Sequence, residues 1–322
     1  MKTIQSKLSL FFKGRPGDPR LGEWATASQI EELHTHSGST IAILGAPDDL
    51  GVRLNRGRPG AQGGPDAVRE ALYKFALPPN KNIESFRLID VGNIHTCDEI
   101  LINHEQAFNA ASIVGSSGAT LIAIGGGHDY AAPHFLGLFS GISTSAKKQK
   151  FGLINVDPHL DVREFENNLP HSGTPFRQIL ESGVVQGKNL VQFGARLGRN
   201  ANAHFEYCRK HHVKVQQFAD ISTKPSTVKV FKKTLDALVK RTDRVGLTID
   251  MDSCREVEGA SAAAVVGFSA LELCQFAHLA GRSPKVVGLE IAEIAPNLDP
   301  TGRSARIAAE VIFHFICGRM GC

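Results

Sequence analysis

The stretch FGLINVDPHLDVRE, residues 151–164, begins as a short apolar run and turns abruptly polar after Val156. A run without strict alternation is what a strand covered on both sides requires. The acids and imidazole that follow stand at its carboxyl end, where open parallel sheets bind their ligands. Similar runs begin at Ile41 (IAILGAP), Phe86 (FRLIDVG), Ala119 (ATLIAIGG), Asn189 (NLVQFGA), Val213 (VKVQQF), Arg244 (RVGLTID) and Lys285 (KVVGLEIAEI). Between them, apolar residues recur at helical spacing over 66–76, 227–239, 269–280 and 303–315. Strands alternating with helices predict an α/β fold: a single-domain, three-layer αβα arrangement around a parallel sheet. No linker or repeat divides the chain, so residues 36–322 read as one domain and residues 1–35 as an N-terminal extension.

Composition narrows the function classes. Hydrophobic residues make up 42% and charged residues 21%, and no apolar run approaches the span of a membrane helix, about 18 residues or more. The formal charge is only +4, and the basic residues are scattered rather than clustered with aromatics, which argues against a nucleic-acid surface. No small-residue cleavage site follows the first apolar stretch, so a secretory signal is not expected, although the basic, acid-poor start leaves an organelle-targeting reading open. The six cysteines include no C-x-x-C pair and read as reduced thiols of a cytoplasmic protein.

Two further strands end like the first. IGGGHDY (124–130) supplies His128, TIDMD (248–252) supplies Asp250 and Asp252, and NVDPHLD supplies Asp157, His159 and Asp161. Carboxylates gathered on one rim cannot all stay ionised without cations. Mixed carboxylate and imidazole donors suit Mn, Fe, Co or Zn, and the excess of oxygen favours manganese. Two such ions about 3.5–4 Å apart can share a water and lower its pKa, which defines a hydrolytic reaction class. Each cluster alone has a plainer reading as a glycine turn or a solvated acidic loop; their conjunction at three strand ends is the signal.

At these residues the sequence resembles the ureohydrolase superfamily of arginases, agmatinases, guanidino-acid hydrolases and formimidoylglutamases. GGGHD, VDPHLD (with Pro158 where alanine is usual) and TIDMD match its three metal motifs, and the likeness runs from about Ile41 to the end. The resemblance implies an arginase-like fold with a mostly parallel, eight-stranded sheet, and a homo-oligomer, trimeric or hexameric. It implies two Mn2+ per subunit, one held by His128, Asp157, Asp161 and Asp250, the other by Asp157, His159, Asp250 and Asp252. Asp161 would also orient the attacking hydroxide, and Glu293 in GLEIAEIAP matches the acid that orients amidine or guanidine nitrogens.

The loops at 52–72, 171–176 and 258–269 look most like formimidoylglutamases. Ser172 stands where arginases and agmatinases carry a histidine, and SCREVEGAS lacks the D-P that usually follows their third motif. Neighbouring His171 is then the candidate general acid. A small acidic substrate needs cationic partners, for which arginine is suited; Arg56, Arg58, Arg163 and Arg196 are available, with Asn55 and Ser172 for hydrogen bonds. The expected reaction is hydrolysis of a formimino C=N carbon, giving glutamate and formamide. The alternatives are a urea-releasing guanidino hydrolase and a non-catalytic relative.

Overall fold

All eight apolar runs become strands that start within two residues of the expected positions. The computed structural model describes residues 2–35, 39–78, 83–143 and 149–322. Within them the strands are β1 (Thr26–Ala27), β2 (Ser39–Gly45), β3 (Phe86–Asn93), β4 (Thr120–Ile124), β5 (Phe151–Val156), β6 (Leu190–Ala195), β7 (Lys214–Gln217), β8 (Arg244–Asp250) and β9 (Val286–Ala292). They form one nine-stranded sheet in the order β1-β3-β2-β4-β9-β8-β5-β6-β7. Every pair is parallel. The expected count of eight is therefore corrected to nine. The extra strand is a two-residue, exposed edge held by β3 through Thr26 and Ala27, too short to carry any periodicity.

Helices cover both faces. On one lie Ile100–Ser117, Ala131–Ile142, Pro175–Glu181 and Asn202–Lys210, packed over residues such as Leu121, Leu153 and Leu190. On the other lie Gly64–Leu72, Thr227–Arg241, Ala270–Gly281 and Arg303–Met320, over Ile122, Ile154, Leu247 and Leu289. Their ends follow local chemistry. Pro65 sits in the first turn of Gly64–Leu72, where its missing N–H is no loss. Ser269 and Glu272 cap each other's backbone amides before Ala270–Gly281. Helices Ile100–Ser117 and Ala131–Ile142 approach so closely that a Cβ on Gly137 would come within 2.1 Å of the Phe108 carbonyl oxygen.

The N-terminal segment lies on its own chain. Ile4 exchanges both backbone hydrogen bonds with Asn93, the amides of Leu21 and Gly22 bond to the carbonyls of Phe75 and Tyr73, and Leu10 and Leu21 enter the core. The boundary expected at residue 36 lies outside the described residues. Among the described residues no helix is long and apolar enough to cross a membrane.

Candidate metal centre

Four adjacent strands, β4, β9, β8 and β5, end side by side. The turn after β4 brings His128, β9 leads into Glu293, β8 ends in Asp250 with Asp252 just beyond, and β5 leads into Asp157, His159 and Asp161. The turn before His128 has to be glycine where it crosses the β2 loop: a Cβ on Gly126 would sit 1.6 Å from the Asp48 carbonyl oxygen. Asp161 (φ 45°) and Glu293 (φ 66°) both occupy the left-handed region. That conformation costs a side-chain-bearing residue on the order of 1 kcal/mol or more, and such strain concentrates at functional sites.

The side chains converge tightly. His128 Nδ1 lies 3.1 Å from Asp157 Oδ2, 3.1 Å from Asp161 Oδ2 and 3.2 Å from Asp250 Oδ2. His159 Nδ1 lies 3.3 Å from Asp157 Oδ1 and 3.9 Å from Asp252 Oδ2. Two groups of donor atoms result, His128 with Asp157, Asp161 and Asp250, and His159 with Asp250 and Asp252; within each, all atoms lie inside 4.8 Å of one another. Asp250 belongs to both groups, and the two oxygens of Asp157 face one imidazole each. Backbone amides hold the carboxylates in place: His159 N donates to Asp157 Oδ1 at 2.6 Å and Asp252 N to Asp250 Oδ1 at 2.7 Å.

Burial sharpens the electrostatics. Desolvation, then the Asp157 charge, pushes the Asp161 carboxyl up to about 6. Desolvation and the neighbouring Asp250 raise Asp252 well above the usual carboxylate range. Burial works to lower the His128 pKa, but hydrogen bonds to Asp157, Asp161 and Asp250 outweigh it and hold the imidazole well above its ordinary value. His159 behaves alike, burial being overcome chiefly by Asp157, and reaches about 10. The cluster thus holds protons where no cation offsets its charge. Four carboxylates and two imidazoles form an oxygen-rich donor set that fits a pair of divalent first-row cations.

A cavity of about 330 Å³ opens above this cluster. Asp161, Asp250, Asp252, Glu293 and His159 line it together with Asn55, Arg56, Arg58, Arg163 and Ser172. Glu293 is 3% exposed; its Oε1 accepts the His128 amide at 2.9 Å, and its Oε2 meets no partner among the described residues. Desolvation, then the charges of Asp250 and Asp252, raise its pKa well above the usual range. Asn55 Nδ2 donates to Ser172 Oγ at 2.9 Å. Arg56 is paired with Glu166 at 2.7 Å, and Arg58 donates to the carbonyls of Ala260 and Ser261. No carboxylate pairs with Arg163 among the described residues.

Two expected residues stand apart from this cavity. Arg196 does not line it; its guanidinium donates to the Val266 carbonyl at 3.0 Å. His171 is buried in its own loop, where Nδ1 accepts the Gly173 amide at 3.2 Å and Nε2 meets the Glu164 carbonyl at 3.1 Å. Burial, as the main cause, lowers its pKa. Conversely, Arg199 and His204 line the cavity and were not singled out from the sequence. Arg199 ends the short turn Leu197–Arg199 after β6 and has no carboxylate partner among the described residues. The adjacent Asn200 clamps that turn, accepting the Leu160 amide and donating to the Pro158 and Arg196 carbonyls at 2.8–2.9 Å. The run of arginines after a strand end was the available signal, but the turn carries the fourth residue past it, not the first, into the cavity.

Comparison with known proteins agrees with this geometry. The arginase family model matches residues 39–318. A formimidoylglutamase of Staphylococcus aureus is 34% identical over 296 residues, 90% of this chain and 89% of that one. The solved structure of Trypanosoma cruzi formiminoglutamase with two Mn2+ ions is 31% identical, with a TM-score of 0.82 over 94% of this chain and 99% of that chain. Bacillus subtilis formimidoylglutamase is 25% identical, with a TM-score of 0.83 over 96% of this chain and 94% of that chain. With the family model spanning nearly the whole sheet and all six metal-motif residues gathered at one rim, the chain belongs to the arginase family.

Proposed function

We propose that this chain is a manganese-dependent formimidoylglutamase, which adds water to the formimino carbon of formiminoglutamate and releases glutamate and formamide. The observation that carries the reading is the sorting of charge in the cavity: carboxylates at its base, and Arg56, Arg58, Arg163 and Arg199 around them. A substrate with a cationic amidine at one end and two carboxylates at the other matches that order. The names of the relatives in Staphylococcus aureus and Trypanosoma cruzi support the same reaction, and the latter supports two Mn2+ ions.

One cation would be held by His128, Asp157, Asp161 and Asp250, and the other by Asp157, His159, Asp250 and Asp252. When bound, the pair supplies the Lewis acidity that makes water a nucleophile at neutral pH. Glu293 Oε2, buried and without a partner among the described residues, is placed to accept the amidine N–H groups and hold the formimino carbon over the cluster. Asp161, beside His128 at the rim and lining the cavity, is placed to take a proton from water and return it to the departing glutamate nitrogen. The C–O bond forms as the C=N π bond opens, and the bond from that carbon to the glutamate nitrogen then breaks as this nitrogen takes a proton, so the carbon leaves as formamide. Ser172 and Asn55 steady the substrate through their shared hydrogen bond, and Arg163 and Arg199, with no carboxylate partner among the described residues, take its carboxylates. His171, with both ring nitrogens engaged, holds the loop that carries Ser172.

The test is to incubate the Mn2+-loaded protein with formiminoglutamate, arginine, agmatine and guanidinobutyrate and to follow formamide, ammonia and urea. Formamide from formiminoglutamate alone is the expected result. Urea from a guanidino compound, with formiminoglutamate untouched, would overturn the assignment.

A further inference from the structure

Behind His128, on the side away from the carboxylates, a second line of polar groups crosses the interior and takes no part in the reaction as derived above. His128 Nε2 lies 2.9 Å from Thr248 Oγ1 on β8. Thr248 Oγ1 donates to Glu290 Oε2 on β9 at 2.8 Å. Glu290 Oε1 lies 2.7 Å from His134 Nδ1, in the helix Ala131–Ile142. His128 is 1% exposed and the other three are 0% exposed. A row of polar groups sealed this completely is costly unless each is satisfied, and it then fixes one arrangement.

The direction of every bond in the row follows from its far end. His134 Nε2 is buried with no partner among the described residues. A bare lone pair is cheaper to bury there than a bare N–H, so the ring proton belongs on Nδ1 and is donated to Glu290. Anchored through Oε1, Glu290 presents Oε2 as an acceptor, and the Thr248 hydroxyl turns its proton toward it. The Thr248 oxygen is then left with lone pairs, so His128 Nε2 must be the donor on that side. His128 Nδ1, which faces Asp157, Asp161 and Asp250, is thereby kept as the ligating nitrogen. Were the Thr248 hydroxyl free to turn round, it could donate to Nε2 instead and leave the proton on Nδ1, where it would block a cation.

We propose that Glu290 and His134 are positioning residues for the metal centre, acting on His128 through Thr248 to hold its Nδ1 lone pair toward the carboxylate cluster. The inference rests on the cation reading above. Partners of this kind typically contribute about 10- to 100-fold to metal affinity.

The experiment compares His134→Leu with His134→Asn, whose side-chain amide can donate from nearly the place of Nδ1, and measures Mn2+ affinity by titration calorimetry beside the melting temperature of the metal-free protein. Both variants remove the ring and lower the melting temperature. Only His134→Leu is expected to bind Mn2+ about 10- to 100-fold more weakly, His134→Asn staying within about threefold of the parent. Thr248→Val and Thr248→Ser give the same contrast one bond from the ligand, and decide the matter if His134→Leu does not fold. Mn2+ affinity that follows the melting temperature in every variant, or that is unchanged in His134→Leu and Thr248→Val, overturns the proposal. A parent protein that binds no Mn2+ overturns the cation reading along with it.

Discussion

Glu293 Oε1 accepts the backbone amide of His128 at 2.9 Å, joining two residues 165 positions apart in sequence. The acid suited to face substrate is therefore registered to the turn that carries a metal-site imidazole. Replacing Glu293 with Gln keeps an acceptor for that amide but puts an N–H donor in place of the oxygen facing the amidine. Turnover of formiminoglutamate should fall about 100-fold or more, with both metals retained. Steady-state kinetics together with elemental analysis check this; normal turnover would show that Glu293 does not face the reacting nitrogens.

Asp250 offers an oxygen to both donor groups. Asp250→Ala should therefore lose both cations, while Asp252→Ala, which touches only one group, should lose mainly one. Metal content after gel filtration distinguishes the two, and two retained ions in the Asp250 variant would break the ligand map.

Without cations both imidazoles of the cluster hold protons well above their usual pKa: burial opposes this, but Asp157 drives His159 to about 10, and Asp157, Asp161 and Asp250 drive His128 up. A cation must displace those protons to bind, so acid competes with metal and affinity falls as pH falls. Displacement of one proton per ion corresponds to about tenfold weaker binding per pH unit. Mn2+-induced stabilisation, followed by thermal melting between mildly alkaline and mildly acidic buffer, should shrink steadily toward acid. A pH-independent stabilisation would contradict the proton count.

Arg199→Gln should raise KM for formiminoglutamate by about 10- to 100-fold, the range for a lost charged hydrogen bond, with a smaller effect on kcat. The same change at Arg196, whose guanidinium is spent on the Val266 carbonyl, should leave KM nearly unchanged. Equal effects of the two substitutions would reverse the assignment of the cavity.

Cys97 and Cys322 are exposed, whereas Cys208, Cys254, Cys274 and Cys317 are buried, and desolvation pushes each of these four thiols up to about 12. A chromogenic disulfide reagent should therefore titrate two of the six thiols in the native protein and all six in denaturant. Rapid reaction of a third native thiol would mark an opening in the core.

Strand positions and the gathering of the six motif residues at one rim were legible because both depend on a short-range pattern: an apolar run fixes the strand, and its carboxyl end fixes which side chains reach the rim. The pattern weakens where the chain stops repeating. Thr26–Ala27 is too short to show a period. Arg196 and Arg199 carry the same charge three positions apart, and only the geometry of the Leu197–Arg199 turn decides which of them lines the cavity. His171 has the chemistry of a general acid, yet its loop folds both ring nitrogens onto backbone groups. His134 and Glu290 lie 156 positions apart, on a helix and a strand whose neighbours in space no local pattern specifies.

The last strand in sequence, β9, lies in the middle of the sheet between β4 and β8. Without it, β1, β3, β2 and β4 form one sheet fragment and β8, β5, β6 and β7 another, with no strand pairing between them among the described residues. His128 belongs to the first fragment, while Asp157, His159, Asp161, Asp250 and Asp252 belong to the second. During synthesis the strand that joins the two halves of the metal centre within the sheet, residues 286–292, therefore leaves the ribosome after every other strand. The sheet that aligns those halves is complete only once β9 has paired with both β4 and β8.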